Sequence, residues 1–125
     1  MTRILLIGLV GSIGALTRYE MSKAIHRRTA RADMATMIVN LVGATALGFV
    51  VGTEPKVPLA PDMLTAVTVG FLGGFTTFST WMVDVVSLAE QGGAGRIRAA
   101  LNLATTLAGG IVGYGLARWL ILLPA

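Results

Sequence analysis

No cysteine occurs in this sequence, so it can form neither a disulfide nor a thiolate metal site. Its single histidine, His26, stands among charged residues rather than beside other ligand types, which leaves little basis for metal catalysis. Charge is scarce as well. Asp, Glu, Lys and Arg make up 13% of the 125 residues against 54% hydrophobic ones, and the mean hydropathy of +0.77 is too high for an ordinary soluble domain. No carboxylate falls in the middle of an apolar run: Glu20, Glu54, Asp62, Asp84 and Glu90 lie at ends or in loops and Asp33 just before a run, which argues against proton-coupled transport. The net charge of +4 does not point to nucleic acid, because the basic residues flank apolar runs instead of forming a stripe with interleaved aromatics. What remains is an all-α integral membrane protein, a single four-helix transmembrane domain over residues 1–125, with helices expected at about 3–23, 34–52, 63–88 and 99–123 and both termini on one side.

The run from Met63 to Val83 carries no charge, yet its middle holds Gly73-Gly74 followed by Thr76, Thr77, Ser79 and Thr80. Glycine costs a helix about 0.5 to 1 kcal/mol relative to alanine, and a broken helix in hydrocarbon exposes backbone groups that only protein, water or an ion can satisfy. Helix 3 is therefore expected to break at its centre and to mark an ion or polar-solute path. Close approach of a neighbouring helix is the competing account of Gly73-Gly74.

Along the rest of the chain, Ile4 to Thr17 follows Arg3 and has the look of a short signal sequence. The equally apolar remainder, and Gly8, Gly11 and Gly14 on a helical spacing, favour a packed helix. Ala44, Gly48 and Gly52 repeat every four residues with Gly43 beside them, and Gly109 and Gly113 form a second close-packing pair. Loops are expected at residues 24–33, at 53–62 with Pro55, Pro58 and Pro61, and at 92–98. Arg18 stands near the end of helix 1, as an interfacial anchor or in a water-filled vestibule.

The polar groups within the spans are neutral: Asn40, Thr76, Thr77, Ser79, Thr80, Asn102 and Thr106. Neutral donors suit an anion that must shed water without being trapped, although interhelical bonding would account equally for Asn40, is the alternative for Asn102, and is the commoner case for Thr106. Phe78 and Trp81 share a helix face. Edge-on rings can touch an anion with their positive rim, and core packing is the alternative.

Three stretches in order resemble the small bacterial fluoride channels of the Fluc or CrcB type: Gly11-Ser12-Ile13-Gly14-Ala15-Leu16-Thr17-Arg18-Tyr19, Val39-Asn40-Leu41-Val42-Gly43, and Gly73-Gly74-Phe75-Thr76-Thr77-Phe78-Ser79-Thr80. The resemblance implies a passive fluoride path in the cell (inner) membrane. It places Asn40, Phe78, Ser79 and Thr80 along that path, with Trp81, Asn102 and Thr106 completing it, and Arg18 in the vestibule. It also implies an antiparallel dimer holding a structural sodium ion on the backbone carbonyls of Gly73 and Thr76. Two positions depart from the pattern. Trp81 stands where the family usually has a second pore phenylalanine, so on the resemblance Trp81→Phe is expected to preserve or raise flux, and Gly110 thins the usual polar track of helix 4. A small dual-topology multidrug/proton antiporter is the rival reading, but it needs a carboxylate in helix 1 that Ile4 to Thr17 lacks. A non-conducting partner subunit is a third. The second subunit is either the same chain or a related one of opposite orientation. Seven basic residues, Arg18, Lys23, Arg27, Arg28, Arg31, Arg96 and Arg98, flank the first and third loops against Arg3, Lys56 and Arg118 on the other side, a bias that favours a fixed orientation with loops one and three inside.

Overall fold

The computed structural model describes residues 1–54, 56 and 59–123. Pro55 and Pro58 of the expected second loop lie outside them. The described residues are helical apart from short connections, and four helical segments are long and apolar enough to cross a membrane: Thr2–Thr29, Ala32–Thr53, Pro61–Glu90 and Gly93–Leu122. We label Thr2–Thr29 α1, Ala32–Thr53 α2, residues 61–75 α3, Phe78–Glu90 α4 and Gly93–Leu122 α5.

Two boundaries differ from expectation for local reasons. Helix α1 runs through the basic stretch placed in the first loop, since His26, Arg27 and Arg28 in its last turn complement the negative end of the helix dipole. Ala30 then stops it in the left-handed region at φ 55°, its N–H donating to the His26 carbonyl. Helix α5 begins at Gly93, well before residue 99, because Gly92 at φ 90° makes the whole turn and its carbonyl accepts from the Arg96 N–H.

Tight packing comes from small residues. The α2–α5 pair is the most extensive helix contact. In it, a side chain at Gly48 would strike the Gly110 carbonyl, one at Gly52 the Ala117 methyl, and one at Gly113 the Thr45 carbonyl. Helix α1 meets α3 the same way, with Gly14 against the Phe71 carbonyl and Gly74 against the Gly11 carbonyl. Gly8, expected on the packed face, meets nothing, so only Gly11 and Gly14 of that trio serve the contact.

The third span is irregular. Helix α3 starts as an α-helix at Pro61–Thr65, widens to a π-helix over Ala66–Leu72 and returns to α over Gly73–Phe75. Gly73 and Gly74 are thus helical. The extended residues are Thr76, at φ −85° and ψ 161°, and Thr77, at φ −143° and ψ 118°, after which α4 begins. Close approach accounts for Gly74, and the interruption falls on the two threonines.

Candidate functional site

The extended pair is held from a distance. Thr77 donates its N–H to Asn40 Oδ1 at 2.9 Å, and Asn40 Nδ2 donates to the Thr77 carbonyl at 2.8 Å. One carboxamide thus satisfies both backbone groups of a residue 37 positions away, supplying what the missing helical turn would have supplied. Asn40 is itself buried on α2. Its two partners are the reason the chain can leave the helix here at modest cost, since each buried backbone group left unpaired would cost about 1 to 3 kcal/mol.

Two cavities flank this point, and Thr77 lines both. The first, about 510 Å³, is bordered by Asn40, Gly73, Thr76, Phe78, Trp81 and Thr106. The second, about 500 Å³, gathers the cationic side chains Arg18 and Lys23, together with His26, from α1 and takes Thr80 into its wall. Arg18 spans the gap, its Nη1 donating to the Thr76 carbonyl at 3.4 Å. A third cavity, about 310 Å³, opens beside Asp33, which pairs with Arg98 at 3.1 Å and with Arg31, and reaches Asn102.

The residues singled out from the sequence fall into different settings. Phe78, 71% exposed, stands beside the extended pair with its ring edge-on to Trp81 at 6.1 Å. Trp81 is 7% exposed and belongs to the α4–α5 core with Val85, Leu88 and Ala99. Its indole donates to Asn102 Oδ1 at 2.7 Å, a bond the sequence pattern did not suggest. Thr106, 5% exposed, has a hydroxyl with no partner among the described residues. Ser79 is exposed and lines none of these three cavities. Gly110, the thinned position, borders the first cavity where the α2 and α5 backbones approach.

One carboxylate went unrecognised. Asp84 was expected to emerge at the membrane interface toward the end of the third span, but its Oδ2 is buried without a partner among the described residues. The signal was present in its place one turn after Trp81, on the buried side of the helix.

The second cavity concentrates positive charge at the edge of an apolar bundle. The polar side chains that line the first cavity beyond it are neutral, the Asn40 amide, hydroxyls and an indole, whereas the carboxylates Asp33 and Asp84 lie outside that cavity.

Residues 5–118 match the family described as CrcB-like protein, Camphor Resistance (CrcB). The chain is 34% identical to a protein of Ruminiclostridium cellulolyticum over 94% of each chain, and 34% identical to one of Geobacter sulfurreducens over 90% of this chain and 91% of that one. It is 39% identical to one of Nitratidesulfovibrio vulgaris over 74% of this chain and 76% of that one. All three relatives are named fluoride-specific ion channel FluC.

Proposed function

The chain belongs to the CrcB-like family, and on that premise we propose that this multi-pass membrane protein is a subunit of a fluoride channel that exports fluoride passively and performs no chemistry on it. The observation that carries the reading is the Asn40 clamp on Thr77, which holds an extended backbone open between a cationic vestibule and a donor-lined cavity. Fluoride is small and strongly hydrated, so its passage requires replacement of its water by fixed N–H and O–H donors rather than by a full positive charge that would trap it. Arg18 and Lys23 raise the anion's concentration at the mouth. Asn40, Thr80, Asn102 and Thr106 supply donors, the Phe78 ring edge guides the ion between them, and Ser79 adds its hydroxyl from the exposed side.

The function belongs to a dimer. Phe78, Ser79 and Thr80 are exposed beside an extended backbone, and irregular backbone with hydroxyls beside it does not face lipid. A second subunit, antiparallel to the first, covers them, and lipid contacts the remaining apolar faces. The same surface fits a sodium ion. The Thr77 N–H that would close the Gly73 carbonyl into the helix is instead donated to Asn40, and the extended Thr76 directs its carbonyl out of the ladder, where Arg18 reaches it at 3.4 Å and occupies one of its two lone pairs. Hard backbone oxygens of this kind suit a hard cation, and two per chain call for two more from the partner. When bound, the ion would hold the two subunits together without being transported.

The export role is checked in cells. Bacteria stripped of their own fluoride exporters are expected to regain growth in fluoride-containing medium when they express this chain, and not when they express Asn40→Asp. Membrane-inserted chain that gives no protection would reject the export role.

A further inference from the structure

Trp81 and Asn102 form a pair whose chemistry decides which end of the amide faces which way. An indole N–H can only donate, and of the two ends of a carboxamide only the oxygen accepts. The 2.7 Å bond from Trp81 Nε1 therefore commits Asn102 Oδ1 to the tryptophan. Asn102 is 3% exposed and sits against a nearly buried indole, so water offers its oxygen no competing partner. The NH₂ end is left for the third cavity, which Asn102 lines together with Met34, Met37, Thr105 and the ion-paired group of Asp33 with Arg31 and Arg98, where two guanidiniums offset the one carboxylate. Trp81 lines the neighbouring cavity on the Asn40 side, where the unpartnered Thr106 hydroxyl also lies, so the pair joins the walls of the two spaces.

We infer that the third cavity belongs to the ion path and that Trp81 is a positioning residue for the anion there: its indole holds Asn102 with the NH₂ group turned toward that cavity and the repelling carbonyl oxygen turned away from it. The inference rests on the fluoride-channel reading and adds a specificity device to it. A freely rotating carboxamide would present its acceptor end to the path part of the time, and an acceptor lone pair repels fluoride where the N–H attracts it. Phenylalanine cannot hold the oxygen. A phenylalanine at position 81, favourable on the family resemblance, is therefore harmful in this chain, because here helix α5 carries a two-ended amide opposite it.

The test is fluoride efflux from liposomes holding the purified chain, compared with Trp81→Phe and with Trp81→Phe/Asn102→Ser. Trp81→Phe is expected to slow efflux about tenfold, the size of one lost hydrogen bond to a charged group. The double variant is expected to recover most of the rate, since a serine hydroxyl rotates to donate and needs no partner to orient it. A role in packing alone predicts that the double variant is no better than the single one. That result, or Trp81→Phe matching the parent chain, overturns the inference. Parent chain that moves no fluoride refutes the channel reading itself, before any variant is compared. Should Trp81→Phe fail to fold, Trp119→Phe leaves Trp81 as the sole indole. Its emission is then expected to shift saturably with fluoride and not with chloride, and the absence of a fluoride-specific shift overturns the inference.

Discussion

Asn40→Asp is expected to reduce fluoride efflux by at least about a hundredfold while the four helices remain formed. The amide donates to the Thr77 carbonyl and accepts from the Thr77 N–H, so the change removes one of two bonds and sets a carboxylate oxygen against a carbonyl oxygen. Leaving the Thr77 carbonyl unpaired costs about 1 to 3 kcal/mol, and an aspartate within a span adds roughly 2.5 to 3.5 kcal/mol. Both penalties fall on the extended segment rather than on the α2–α5 contact, so the path suffers before the fold does. An anion approaching the site would also meet negative charge in a low-dielectric setting, where repulsion is weakly screened. Efflux normalised to protein that elutes as a single species and keeps its helical circular dichroism is the measurement. An unmodified rate would remove Asn40 from the path.

The second large effect is on stability. Gly113→Ala is expected to destabilise the protein by about 2 to 3 kcal/mol, near the upper end for overpacking, because the new methyl would fall on the Thr45 carbonyl and crowd the Phe49 nitrogen at 3.1 Å. Both obstacles are backbone, which cannot rotate aside as a flexible side chain can. Helices α2 and α5 must then separate along their whole contact. Gly115 is the control two residues on. Nothing lies within 4 Å of a side chain there, so Gly115→Ala is expected to be neutral or to stabilise by up to about 1 kcal/mol through helix propensity. Thermal unfolding in detergent separates the two, and equal transitions would contradict the close-packing account of the α2–α5 contact.

The spans and their packing faces were legible in the sequence because they depend on local composition. An apolar run of sufficient length and a glycine every fourth residue declare themselves without knowledge of the partner, as Gly48, Gly52 and Gly113 show. The break was legible in kind and misplaced in detail. Gly73-Gly74 is the weakest helical point by propensity, yet the backbone leaves the helix at Thr76 and Thr77, where Asn40 supplies replacement bonds. Propensity says where a helix is cheap to break, and a partner 37 residues away says where breaking is compensated. The π-helical stretch Ala66–Leu72 carries no mark in its composition. The Trp81–Asn102 bond was hidden for the same reason as the clamp, because a donor and an acceptor 21 residues apart on two helices meet only once both helices are packed. Asp84 falls inside both the expected span 63–88 and α4, and its buried oxygen depends on how α4 packs, which composition does not show.

The central claim is that the extended Thr76–Thr77 segment clamped by Asn40 lies on a path for fluoride through this chain. Its most direct test is efflux from liposomes that contain only the purified chain, loaded with fluoride or chloride and read by ion-selective electrodes with a potassium ionophore to balance charge. The account predicts fast fluoride release, negligible chloride release and loss of the fluoride signal in Asn40→Asp. Fluoride retained by liposomes with correctly inserted chain, or released no faster than chloride, would contradict it.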